Sequence, residues 1–158
     1  MEREYKFYLP SGCTAEDIVE DHFWDDFAGG PWRRHQHRAV YYSDREGILE
    51  KARVVLRLRR EDEDYILTVK KDKALEEALS LRHEWNYPLK ASAFELPALI
   101  SALRKEQDPA AAKTADLMAL IEEGTLYSEM STDIIRYEKI IEMPALKAAV
   151  SVDSGVLR

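Results

Sequence analysis

Residues 53–60 read Arg-Val-Val-Leu-Arg-Leu-Arg-Arg, and this run constrains the fold more than any other. It alternates with a period of two. Val54, Leu56 and Leu58 fall on one face of a strand, and Arg53, Val55, Arg57 and Arg59 on the other. Such a strand must bury one side while the other side satisfies several guanidinium groups. That calls for an antiparallel sheet with two chemically different faces. The division recurs along the chain. Tyr65, Leu67 and Val69 oppose Ile66, Thr68 and Lys70, while Leu81, His83, Trp85 and Tyr87 oppose Arg82, Glu84 and Asn86. Glu2, Glu4, Lys6 and Tyr8 alternate with Arg3, Tyr5, Phe7 and Leu9, and Arg136 shares a face with Glu138.

Periodicity predicts seven strands, over residues 2–9, 33–42, 53–60, 65–71, 80–89, 131–142 and 145–153. The acidic turn 61–64 joins the third to the fourth as a hairpin. Helices are predicted over 14–27, with Thr14 and Asp17 as a capping pair, and over 94–105 and 110–123. A length of 158 residues suits one domain. Neither an internal repeat nor a linker interrupts it.

Charge and composition remove several function classes. Asp and Glu number 30 against 23 Lys and Arg, a net charge of −7, which disfavours a general nucleic-acid coat. The single cysteine, Cys13, allows neither an internal disulfide nor a thiolate metal cluster. Without an apolar run of ~20 residues or a signal-like start, the expectation is a cytoplasmic protein with no membrane partner.

The charged strand faces admit two readings. They could form a solvated outer surface laced with ion pairs worth ~0–1 kcal/mol each. Alternatively, the sheet could close with these faces inward, since a barrel of about eight strands can hold one small ligand. A wall of Lys6, Arg57, Arg59, Lys70, Arg82 and Arg136 would be costly without counter-charge, and it suits a polyanion, since Arg forks and Lys point charges both match phosphate oxygens. Glu2 and Glu4, side by side on one strand, suit a hard divalent cation such as Mg2+ or Mn2+.

These motifs together resemble the CYTH, or triphosphate tunnel metalloenzyme, superfamily. Glu2-Arg3-Glu4-Tyr5-Lys6 matches its ExExK signature. Residues 41–49, Tyr-Tyr-Ser-Asp-Arg-Glu-Gly-Ile-Leu, resemble its aromatic–aromatic–Asp–Thr…Leu segment, and residues 55–59 its LRLR strand. Lys70 ends the next strand, Arg82-His83-Glu84 resembles the basic–acidic pair that follows, and Arg136 sits where a later strand carries a basic residue. Val152-Asp153-Ser154-Gly155 resembles the family's Asp-x-Gly turn.

The resemblance implies an α+β fold, an eight-stranded antiparallel tunnel with helices packed outside. It implies Mg2+- or Mn2+-dependent hydrolysis of a triphosphate, inorganic tripolyphosphate first, with thiamine triphosphate hydrolysis or adenylyl cyclisation as alternatives. A non-catalytic polyphosphate-binding module is a further alternative. Glu2, Glu4 and Asp153 would ligate metal. Lys6, Arg57, Arg59, Lys70, Arg82 and Arg136 would bind phosphate, and Glu84 and Lys6 would act in catalysis. The chain departs from the pattern at Ser43-Asp44 and at Arg53. Members continue past the Asp-x-Gly turn into a closing segment. For a single domain spanning 1–158 the expectation is therefore an open tunnel, whose free edge would suit a homodimer.

Other candidates carry less. His35 and His37 lie i, i+2 on a strand, where exposed histidines are expected rather than a metal pair. Residues 32–38, Trp-Arg-Arg-His-Gln-His-Arg, combine stacking and positive groups as single-strand binders do, but against net charge −7 they read as a solvated strand or tunnel mouth. Phe23, Trp24 and Phe27 read as core.

Overall fold

The strand with alternating arginines lies at the centre of a seven-stranded sheet. The computed structural model describes residues 2–75 and 79–158, apart from the side chains of residues 2–4 and 73–81. In chain order the strands are β1 (Glu2–Tyr5), β2 (Arg33–Asp44), β3 (Val54–Glu61), β4 (Asp64–Leu75), β5 (Leu79–Leu89), β6 (Leu126–Met143) and β7 (Leu146–Leu157). Their order in space is β1-β5-β4-β3-β2-β6-β7, and each described pairing is antiparallel. Among the described residues, the seven strands match the periodicity and fall one short of the eight that the resemblance implies. Strands β1 and β7 are the two edges, so the sheet is a curled, open half-barrel.

Several boundaries differ from expectation. β1 ends at Tyr5, opposite Leu79, the first residue of β5, so Lys6 to Leu9 lie outside the strand and are exposed. Residues 153–155 do not form a turn. Asp153 pairs with Arg136 and Gly155 with Ile134, because β6 is 18 residues long and offers backbone partners as far as Leu157. Gly155 fits there because a Cβ would stand 2.2 Å from the Asp133 carbonyl oxygen.

The predicted helix over 14–27 is broken in two. Thr14 and Asp17 form the expected reciprocal cap, and α1 (Ala15–Val19) follows. Asp21 is then extended and accepts a hydrogen bond from Phe23 N–H at 2.8 Å, starting a separate 3-10 turn over His22–Asp26. An aspartate that caps its own neighbours competes with helix continuation. Phe23, Trp24 and Phe27 consequently form a peripheral aromatic cluster with Trp32, with Phe23 59% exposed, rather than core.

The main core lies on one side of the sheet. Helices α2 (Ile48–Lys51), α3 (Leu96–Lys105) and α4 (Pro109–Met118) complete the element list. Leu56, Leu67, Val69 and Trp85 pack with Leu99, Leu103, Ala111, Ala115 and Met118. At roughly 1.5–3 kcal/mol per buried large apolar side chain, this packing fixes which strand face turns inward to the helices. The period of two then sends Arg57, Arg59, Thr68, Lys70 and Glu84 to the opposite side.

Asp44 explains the Ser43-Asp44 departure. It ends β2, is 3% exposed, and accepts hydrogen bonds from Ile48 N–H and Leu49 N–H at 2.9 Å each, thereby capping α2. Burial pushes its pKa up, but the backbone N–H donors outweigh burial and hold it below the ordinary value. Asp44→Ala is expected to destabilise the fold by about 1–3 kcal/mol, the cost of leaving such donors unsatisfied. That corresponds to ~2–4 °C in Tm per kcal/mol. Because the folded pKa is depressed, the ionised contribution is present above the unfolded value of about 3.9 and fades as pH falls through the lower folded value. Melting curves of wild type, Asp44→Ala and Asp44→Asn, compared at neutral pH and below about pH 4, measure both terms.

Candidate functional site

The face opposite the helices presents its residues in rows set by register. Lys70 lies between Val55 and Glu84, and Thr68 between Arg57 and Asn86. Arg59 lies between Ile66 and Ala39, and His37 between Glu61 and Ile134. His35, Arg136 and Asp153 make a further row. Asp72 and Arg82 continue the face toward β1, where Glu2 stands opposite Arg82 and Glu4 opposite Ser80.

Although the helices pack on the other side, these long charged side chains are largely shielded. The side chains of Arg59, Lys70 and Glu84 are 18%, 17% and 19% exposed, and Thr68 is fully buried. On the face away from the helices, a curled sheet provides this shielding by bringing the side chains of neighbouring strands over one another.

A continuous hydrogen-bond chain crosses β3, β4 and β5. Arg57 Nη2 donates to Thr68 Oγ1 at 3.4 Å, and Thr68 Oγ1 donates to Asn86 Oδ1 at 2.7 Å. Asn86 Nδ2 donates to Glu84 Oε1 at 2.9 Å, and Lys70 Nζ lies 2.7 Å from Glu84 Oε2. Alongside runs a second group. Arg59 Nη2 is 3.4 Å from Glu61 Oε2, and His37 Nε2 is 3.1 Å from Glu61 Oε1. Arg136 holds Asp153 in a fork of two 2.7 Å hydrogen bonds, and Arg82 Nε meets Asp72 Oδ1 at 2.8 Å.

The guanidinium pair is under electrostatic load. Arg59 is pushed down from its ordinary pKa, first by burial and next by Arg57, with Arg136 adding and Glu61 and Glu84 opposing. Arginine stays charged nonetheless. The Nε atoms of Arg57 and Arg59 are buried and find no hydrogen-bond acceptor among the described residues. Buried charged donors lacking acceptors are costly unless an anion supplies the missing oxygens.

The sequence of the whole chain decides which family this face belongs to. The family model described as "CYTH domain" matches residues 1–155. This chain is a member of the CYTH family. Among solved structures, a proposed adenylyl cyclase from Hippeastrum, described as revealing a dominant triphosphatase activity, is similar at TM-score 0.56 and 16% identity, over 99% of this chain and 80% of that one. A proposed adenylate cyclase from Bacillus halodurans is similar at TM-score 0.40 and 16% identity, over 78% of this chain and 66% of that one. No curated protein matches the chain.

Within this CYTH domain, most of the expected basic residues share one face. Arg57, Arg59 and Lys70 lie together with Glu84, Arg82 lies beside them with Asp72, and Arg136 with Asp153 flanks them across β2. Lys6 lies one residue beyond β1. Arg53 precedes β3, is exposed and has a left-handed backbone with φ 52°, so it is not part of the basic row on that strand. His37 is a correction: instead of an exposed strand histidine it is 7% exposed and bonded to Glu61. Thr68, Asn86, Glu61 and Asp72 carry no motif that marks them as site residues, although the period of two puts Thr68 and Asn86 on the charged face.

The side chains of Glu2 and Glu4 lie outside the described residues. Among the described residues, no three His, Cys, Asp or Glu gather as a metal cluster. Glu84 is engaged by Lys70 and Asn86, and Asp153 by two nitrogens of Arg136. The described carboxylates alone therefore do not gather as a Mg2+ or Mn2+ site, and Glu2 and Glu4 stand as candidate ligands beside Asp153. Their register on the Glu84 side of β5 is compatible with that role. No helix among the described residues is long and apolar enough to cross a membrane.

Proposed function

We propose that this CYTH domain hydrolyses a triphosphate, with inorganic tripolyphosphate its leading substrate, bound along the basic face of the half-barrel. The observation that carries the reading is the pair of shielded guanidinium groups, Arg57 and Arg59, whose Nε atoms lack acceptors among the described residues. An elongated polyanion supplies oxygens to both, and reaches Lys70 and Arg82 on one flank or Arg136 on the other. Lys6, following the two glutamates, would close over one end. The triphosphatase activity described for the similar Hippeastrum protein supports the same class of substrate.

Phosphoanhydride hydrolysis spreads charge over phosphoryl oxygens, so positioning and electrostatic stabilisation dominate its catalysis. The arginines and Lys70 would align the phosphates and hold the developing charge. Glu84, oriented by Lys70 and Asn86, would accept a hydrogen bond from the attacking water. Mg2+ or Mn2+, held by Glu2 and Glu4, would supply Lewis-acid polarisation of phosphoryl oxygen.

The test is phosphate release from tripolyphosphate, ATP and thiamine triphosphate with Mg2+ or Mn2+. Fastest release from tripolyphosphate is expected. Cyclic AMP as the product from ATP would replace this reading with cyclisation, and tight binding of every triphosphate without turnover would replace it with a binding module.

A further inference from the structure

His37 occupies a singular place on the basic face. Strand β2 runs between β3, which carries Arg57 and Arg59, and β6, which carries Arg136. Toward this face β2 presents His35, His37, Ala39 and Tyr41, none of them a permanent cation. An anion bridging Arg59 and Arg136 must cross that strand, and His37 is the buried ionisable group there. Its Nε2 is held by Glu61 at 3.1 Å, and the other oxygen of Glu61 faces Arg59 at 3.4 Å. One carboxylate thus ties the imidazole to Arg59.

We propose that His37 is a proton-linked element of the polyphosphate site: it takes up a proton when a polyphosphate lies across β2. This rests on the reading of the basic face as a triphosphate site. The groups facing His37 are Glu61 and Arg59 from β3, Arg136 from β6 with Asp153 of β7 behind it, and His35 on its own strand, with ring centroids 6.0 Å apart. In the free protein, burial pushes the imidazole below its ordinary value. Glu61 opposes this, and Arg59 and Arg136 add to it. A bound polyanion reverses the balance, because it screens both arginines and places negative charge beside the ring. His37 then holds its proton more tightly in the complex than in the free protein. By linkage, affinity rises as pH falls through the bound-state value and levels off below the free-state value. One fully linked proton gives at most about tenfold in affinity per pH unit. Glu61 is the positioning residue, since it fixes the ring.

The experiment is calorimetric titration of a bis-methylene triphosphate, whose P–C–P bridges resist hydrolysis, into the full chain with Mg2+. It is run near neutral pH in two buffers of different ionisation heat. Wild type should take up more protons per bound ligand than His37→Gln, by up to one, whereas protonation of the ligand itself is common to both. His35→Gln should keep the wild-type count. Equal counts in wild type and His37→Gln overturn the inference and leave the triphosphate reading standing, and no binding overturns both. If His37→Gln fails to fold, the ring carbon-bound proton of His37 followed by NMR in wild type decides. Its titration midpoint must move to higher pH on addition of the ligand, and an unmoved midpoint overturns the proposal.

Discussion

Glu2→Gln combined with Glu4→Gln is expected to lower metal-dependent phosphate release by a hundredfold or more while the protein melts within a degree or two of wild type. The two effects separate because the residues have different physical jobs. In β1 the backbones of Glu2 and Glu4 pair with Arg82 and Ser80, and amide side chains leave that ladder untouched. A carboxamide keeps the shape of a carboxylate but loses its charge, and hard divalent cations bind charged oxygen far better than neutral oxygen. Loss of the metal removes several kcal/mol of charge stabilisation from phosphoryl transfer, which is where the hundredfold comes from. Activity measured against Mn2+ concentration, with Mn2+ binding followed by electron paramagnetic resonance, checks both halves. Wild-type turnover with an unchanged metal optimum would make the pair structural and move the metal elsewhere.

Much of the framework is legible in the sequence because it obeys short-range rules. A period of two fixes which residues of β3, β4 and β5 share a face, so Arg57, Arg59, Lys70, Arg82 and Glu84 could be grouped before any register was known. The Thr14–Asp17 cap is equally local. What escaped is set by pairings far apart in the chain. His37 and Glu61 are 24 residues apart, and nothing in either segment says that they face each other. Nor does either segment say that Arg136 and Asp153, the phosphate and metal candidates, stand directly opposite on the long β6–β7 ladder and form a fork–carboxylate pair. The N-terminal alternation through Leu9 exceeds the strand, because a pattern can continue where its ladder partner does not. Asp72 lay one residue beyond the predicted end of its strand, and it turns out to hold Arg82.

Arg59→Ala should separate a phosphate site from a charged surface most cleanly, because the ligand-free and ligand-bound proteins are expected to respond in opposite directions. In the free protein Arg59 is shielded, repelled by Arg57 and Arg136, and only partly offset by Glu61 and Glu84. Its removal takes away a costly desolvated charge, and Glu61 keeps His37 as a partner. The ligand-free Tm should therefore hold or rise slightly. With tripolyphosphate the wild type gains stability through linkage, about 2.7 kcal/mol at a hundredfold excess over Kd. A hydrogen bond to a charged group contributes roughly 1.5–3 kcal/mol, so the variant should bind some ten- to a hundredfold more weakly and lose from about half to nearly all of that gain at the same ligand concentration. Inorganic phosphate should stabilise both proteins far less, since one phosphate cannot span β3, β4 and β5 together. If Arg59 instead belonged to a surface network, its pair with Glu61 would contribute at most ~1 kcal/mol and be screened by salt. Tripolyphosphate would then shift the melting curve no further than sodium chloride of equal ionic strength. Differential scanning fluorimetry of both proteins, with tripolyphosphate, phosphate and matched salt, distinguishes the two, and equal shifts in all three solutions would remove the basis for a triphosphate site on this face.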